Sequence, residues 1–226
     1  MQIGLIGGIG PAATVFYYER IVQAFAASAQ PLHLTIAHTS ALELSRNVAA
    51  GLVNVQAAEF NRVTGQLAAA GADIVVITSM GGHFCVKEFA ALSPLPMING
   101  PDSVAEHLKQ QGIRRVGILG TRVVMQTYLY GALSELEPIA PVGDDLSQVN
   151  DDYMAMAIAG TASPAQRERL LGAGQRLVHD QGAEVVLLGG TDLNLVYGGA
   201  SLDFPVIDSA MVHADAIVSA ALVRSR

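Results

Sequence analysis

The chain has 226 residues, enough for one sizeable core or two small ones. It is 51% hydrophobic and 15% charged, and its net charge of -7 leaves no basic patch, which argues against nucleic acid as a partner. A single cysteine excludes a disulfide framework, and no apolar run approaches the roughly 18 residues that span a bilayer, so no membrane partner is expected.

Short apolar runs alternate with longer amphipathic segments. The opening MQIGLIGGIGP lacks the basic region of a signal peptide and runs straight into a strand and turn, so a cytoplasmic protein is expected. In chain order, buried strands are predicted at Ile3–Ile6, Leu34–Ala37, Ile74–Ile77, Val116–Leu119 and Val185–Leu188. Helices are predicted at Ala12–Ala27, Val55–Ala70, Asp102–Gln111, Arg122–Leu136, Ala165–Gln181 and Asp208–Arg224. Pro11 near the start of the first helix, and Gly71 and Gly182 just past two others, fit the usual placement of these residues. Alternation of this kind implies parallel sheets covered by helices.

The chain also repeats itself. Gly4-Leu-Ile-Gly-Gly8 resembles Gly117-Ile-Leu-Gly-Thr121, 113 residues on, and Gly71-Ala-Asp-Ile-Val-Val resembles Gly182-Ala-Glu-Val-Val-Leu, 111 residues on. Two pairs with nearly one offset point to a duplicated α/β unit. The expected fold is therefore two similar doubly wound parallel-sheet α/β domains related by a pseudo-two-fold, with the ligand cleft between them. The first would comprise residues 1–98 with a C-terminal helix at 208–226, and the second residues 99–207. In open α/β sheets ligands sit outside the carboxyl ends of the strands. Four glycine- or hydroxyl-rich stretches follow strands here: Gly7–Pro11, Thr78–Gly82, Gly120-Thr121 and Gly189–Thr191.

The run Gly8-Ile9-Gly10-Pro11-Ala12-Ala13 fits the dinucleotide pattern G-x-G-x-x-A, which also wants an acid near the end of the second strand. That strand ends Ala37-His38-Thr39-Ser40, and the next acid is Glu43. The alternatives are an anion cradle at the helix start or a tight packing turn.

These residues carry a resemblance. GLIGGIGPAAT, followed by Phe16, Tyr17 and Tyr18, is similar to the opening of the aspartate racemases of the aspartate/glutamate racemase superfamily. Ser45-Arg46-Asn47, Gly71-Ala-Asp with His83, Leu119-Gly-Thr121 with Met125 and Tyr130, Gly182-Ala-Glu with Leu188-Gly189, and Pro205-Val-Ile-Asp208 with His213 continue it along nearly the whole chain. The resemblance implies a cofactor-independent amino-acid racemase. One thiolate would take the α-proton from one face of a small carboxylate or amino-acid ligand, and a second thiol would return a proton on the other. It also implies a homodimer.

The chain departs from that pattern at both thiol positions, where Ser79 and Gly190 stand. Met80 and Gly81 replace the asparagine and threonine that follow the first cysteine, Val124 a threonine of the second half, and Thr161 a lysine. Two-thiol racemisation is therefore absent. A serine hydroxyl needs a partner to act as a base, and His83, four residues on, either supplies it or packs the helix start. Asp192 either acts as acid or base beside the bare Gly190 or caps a short helix with Thr191. Arg46 is the candidate carboxylate fork, with a surface arginine as the alternative. Gly8, Gly10, Thr78, Gly81, Thr121, Gly190 and Thr191 complete the expected substrate contacts. Cys85 reads as a buried structural thiol, Asp208 as a helix cap, and His213 as either an orienting group or a buried histidine. His33, His107 and His179 show no metal spacing, so neither a metal nor another cofactor is expected. Three classes follow: an isomerase with unusual acid/base groups, a lyase or decarboxylase in the same cleft, and a non-catalytic carboxylate-binding relative.

Overall fold

Every predicted apolar run forms a parallel strand in the computed structural model, which describes residues 1–223. The chain packs as two units, Met1–Ser103 with the chain from His213 onward, and Val104–Val212. Arg224, the end expected for the last helix, and the two residues after it lie outside the described residues.

In the first unit β1 (Gln2–Gly7) lies between β2 (His33–His38) and β3 (Ile74–Ile77). The segment after α4 (Val86–Leu92) adds a short parallel bridge to β3: Val75 N–H donates to the Pro96 carbonyl at 3.0 Å, and Ile98 N–H to the Val75 carbonyl at 3.2 Å. The helices are α1 (Pro11–Ser28), α2 (Ala41–Ala49), α3 (Val53–Ala69), α4 and the start of α5 (Gly100–Gln110). A core of Ile6, Phe60, Val63, Leu67, Ile77 and Phe89 packs α3 and α4 on the sheet.

The second unit repeats this plan. β4 (Arg115–Leu119) lies between β5 (Glu137–Ile139) and β6 (Val185–Leu188), and β7 (Val206–Asp208) flanks β6. Val186 N–H donates to the Pro205 carbonyl at 3.0 Å, the same bond that Val75 makes to Pro96. The duplication extends to side chains. The Gln2 amide donates to the Ala70 carbonyl at the end of α3, and Arg115 donates to the Gln181 carbonyl at the corresponding helix end. Each satisfies a helix-end acceptor that has no partner within its helix. Around this sheet lie α6 (Arg122–Gln126), α7 (Gly143–Ala159), α8 (Pro164–Gln175), α9 (Asn194–Tyr197) and the start of α10 (Ser209–Val223). Leu119, Val149, Met156, Leu170, Leu177 and Phe204 fill the core.

The predicted helix Arg122–Leu136 is corrected. It stops at Gln126, where Thr127 Oγ1 donates to the Val123 carbonyl and accepts the Tyr130 N–H at 2.9 Å. Tyr128, Leu129 and Tyr130 then have φ of 47°, 57° and 60°, a left-handed turn that L-residues adopt only under strain. The predicted helix Ala165–Gln181 ends as α8 at Gln175 and closes with one π turn, Arg176–Asp180. Among the described residues no helix is long and apolar enough to cross a membrane.

Candidate active site

In the first unit, the turn from β1 into α1 meets the end of β3. Gly8 has φ of 84°, and a Cβ there would lie 2.4 Å from the Thr39 carbonyl oxygen and 2.5 Å from the His38 ring, so only glycine fits. Its N–H donates to Thr14 Oγ1 at 3.0 Å. Thr14 Oγ1 stands 3.0 Å from Thr78 Oγ1, which donates to the Ile6 carbonyl at 2.9 Å. With its one proton committed to Ile6, Thr78 accepts from Thr14, whose hydroxyl also faces the Gly10 carbonyl at 3.3 Å. The Gly8 N–H and the Thr78 hydroxyl, both expected to hold substrate, thus tie β1, α1 and β3 together. Gly10, with φ of 114°, is the N-cap of α1.

Ser79 follows β3 and is half-buried. Its carbonyl accepts from Gly82 N–H at 3.1 Å and from His83 Nδ1 at 2.8 Å. Its hydroxyl makes no hydrogen bond among the described residues and borders Gly81. His83 is fully buried, and its Nε2 accepts the Gly100 N–H at 3.2 Å. Both ring nitrogens therefore bond backbone, so of the two alternatives for His83 the structure has the packing one: the ring holds the loop by the Ser79 carbonyl and makes no bond to the Ser79 hydroxyl. Burial pushes the His83 pKa down to about 4, which keeps the ring neutral.

His213, also fully buried, joins this cluster. Its Nε2 donates to the Ile98 carbonyl at 3.0 Å, so its Nδ1 is the acceptor of the Tyr17 hydroxyl at 2.9 Å. The two imidazoles pack edge to face with centroids 5.7 Å apart. Burial, then the neighbouring His83, push the His213 pKa down to about 3. Cys85 is fully buried, and desolvation pushes its thiol up to about 12, the opposite of a reactive thiolate.

In the second unit, Gly190 follows β6 with φ of -170°, extended backbone that any residue adopts. Space is what restricts it: a Cβ would lie 2.2 Å from Tyr153 Oη and 2.8 Å from Tyr153 Cζ. Tyr153, buried on α7, donates its hydroxyl to Asp192 Oδ2 at 3.1 Å. Burial and then the Asp192 charge raise the phenol's pKa well above its ordinary value, so it remains a donor. Asp192 is half-buried in the 3-10 turn Thr191–Leu193, which has no side-chain cap, so the capping alternative does not apply. Thr121 caps α6, accepting the Val124 N–H at 3.4 Å. Val124 is fully buried, and its Cγ1 lies 2.5 Å from where a Cβ on Gly189 would be.

Arg46 is exposed on α2 and lines an open groove of about 580 Å³ with Glu43, Asn47, Glu59 and Arg62, all from α2 and α3. Among the described residues the Ser79 loop contributes nothing to that groove. Asp208 accepts the Ala210 N–H at 2.8 Å and the Asn194 amide at 2.7 Å, as a helix cap. Among the described residues no group of three or more His, Cys, Asp or Glu side chains is placed to hold a metal ion. Three participants escape the sequence reading: Thr14, Tyr17 as the His213 partner, and Tyr153. The signal for Tyr153 is the spacing of Leu146, Val149, Tyr153 and Met156, all buried on one face of α7.

Comparison with known proteins accords with this architecture. A sequence profile described as Asp/Glu/Hydantoin racemase matches residues 6–217. A crystal structure from Yersinia pestis, provisionally assigned as an Asp/Glu racemase, is 30% identical with a TM-score of 0.88, over 98% of this chain and 100% of that one. An aspartate racemase homologue from Pyrococcus horikoshii OT3 shares the fold at a TM-score of 0.82 and 23% identity, over 98% of this chain and 99% of that one. The aspartate racemase of Picrophilus torridus shares it at 0.71 and 22% identity, over 98% and 94%. With a profile spanning nearly its whole length and a 30% identical relative of the same size, the chain belongs to the Asp/Glu/Hydantoin racemase family.

Proposed function

We propose that the chain transfers protons at the α-carbon of a small carboxylic or amino acid of the aspartate/glutamate type, without a cofactor. What supports this most is the match to the racemase family over residues 6–217. A hydroxyl at Ser79 and a carboxylate at Asp192, after the equivalent strands β3 and β6, supply proton-transfer and donor groups in place of thiols. The α-proton is weakly acidic, so the charge that develops on the substrate carboxyl needs donors held ready for it. In this reading the Ser79 hydroxyl is such a donor, and His83 positions it through the loop. Gly10, Gly81, Thr121, Thr191 and the Arg46 guanidinium are the candidate substrate contacts. The reading also takes the chain as cytoplasmic, and as a homodimer, which the family resemblance implies.

A second reading, cleavage of a carbon–carbon bond followed by protonation, is favoured by the bare Gly190, because it requires a proton donor on one face only. Chiral analysis after incubation with single enantiomers of aspartate, glutamate and 5-substituted hydantoins, and with dicarboxylic acids, separates the two. Loss of optical purity supports α-proton transfer. Release of carbon dioxide supports cleavage. A raised melting temperature without turnover supports a binding protein and overturns both.

A further inference from the structure

We infer that Tyr153 and Asp192 together form the proton-transfer group of the Val104–Val212 unit, with Asp192 Oδ1 taking and returning the substrate's α-proton and Tyr153 holding that carboxylate in place. The inference rests on the proposed α-carbon chemistry.

Three observations carry it. The extended backbone at Gly190 accepts any residue, yet Tyr153 Oη, Cζ and Cε2 lie 2.2, 2.8 and 2.9 Å from the Cβ that residue 190 would carry. The phenol has therefore taken the volume of a side chain at that position. Its hydroxyl donates to Asp192 Oδ2 at 3.1 Å, so one carboxylate oxygen is tied down. The other, Oδ1, makes no hydrogen bond among the described residues, and the half-buried side chain caps nothing. A base oriented by a second group, itself fixed by packing, is the arrangement that proton abstraction requires.

The step balances without a co-reactant. The α C–H bond breaks, its proton goes to Asp192 Oδ1, and the electron pair moves into the substrate carbonyl or carboxyl as an enolate. In return, the Asp192 O–H bond breaks and the proton goes back to carbon. Exchange of the carboxylic acid with D2O in between labels the substrate. Return to the same face labels with retention, and inversion requires a donor on the other face.

The test is the rate of α-deuteration by the full chain in D2O, with aspartate, glutamate and a 5-substituted hydantoin as separate probes. Tyr153→Phe should lower kcat about 10- to 100-fold with KM within about twofold and little change in melting temperature, because orientation of the base is lost while binding is kept. Asp192→Asn, an isosteric change at a half-buried position, should reduce deuteration to background with little change in melting temperature. Unchanged kcat in Tyr153→Phe, or deuteration surviving Asp192→Asn, overturns the inference and leaves the α-carbon chemistry standing. A wild-type chain inert toward every probe overturns both.

Discussion

Tyr153 stands where a side chain on residue 190 would be: its hydroxyl lies 2.2 Å from the Cβ position of Gly190, and its ring carbons Cζ and Cε2 at 2.8 and 2.9 Å. At φ of -170° an alanine would ordinarily be tolerated or mildly stabilising at this glycine. Here Gly190→Ala should instead destabilise by about 1–3 kcal/mol, because the buried ring has little room to retreat. Urea unfolding of Gly190→Ala, Tyr153→Ala and the double variant should give a coupling above about 1 kcal/mol, with the double variant more stable than additivity predicts. Additive costs would separate the two residues. The same contact bears on introducing a thiol: Gly190→Cys alone meets the phenol, and Tyr153→Phe leaves Cζ and Cε2 in the way, so room for a thiol requires Tyr153→Ala.

The buried histidines make the fold acid-sensitive. Burial holds the folded pKa values of His83 and His213 at about 4 and about 3, below the ordinary histidine value of 6.5. Between the folded and unfolded values the unfolded chain binds more protons, so stability rises with pH through that window. It is fully present above about pH 6.5 and falls toward pH 4 by on the order of 1.4 kcal/mol per pH unit for each ring. Denaturation midpoints at pH 7, 6 and 5 should fall in sequence, and the dependence should weaken in His213→Gln. A flat profile over that range would contradict the buried, neutral pair.

Thr78→Val should cost about 1–3 kcal/mol in urea unfolding, since it strips the Ile6 carbonyl of its side-chain donor and leaves the Thr14 hydroxyl only its longer bond to the Gly10 carbonyl, at 3.3 Å. Wild-type stability in this variant would contradict the Thr14–Thr78 chain.

Cys85 should resist alkylation in the folded chain and react on unfolding, because its thiol is fully buried and held protonated. Mass measurement after iodoacetamide treatment, with and without denaturant, checks this. Rapid native labelling would contradict it.

The sequence reveals the strands because Ile, Val and Leu runs bounded by turn residues are what a parallel sheet buried on both faces requires. The duplication shows in the glycine-led repeats because close packing leaves little room for a Cβ at Gly4 or Gly117, whose nearest neighbours would lie 3.0 Å away. The left-handed turn at Tyr128–Tyr130 is invisible to periodicity, since Arg122–Leu136 carries a helical pattern and is broken where the Thr127 hydroxyl bonds the Val123 carbonyl and the Tyr130 N–H. Ser79 and Asp192 can be found from their places after strands. The partners that define them come from distant segments: His83 is tied to Gly100, and Asp192 to Tyr153, which is 39 residues away. Such pairings arise only when helices pack, and local spacing does not encode them.

The central claim is proton transfer at an α-carbon without a thiol. Its most direct measurement is proton NMR of aspartate, glutamate and a 5-substituted hydantoin in D2O with the wild-type chain and excess iodoacetamide. The account predicts loss of the α-proton signal of at least one probe at a rate that alkylation leaves unchanged. Retention of every α-proton signal, or exchange abolished by the reagent, would contradict it.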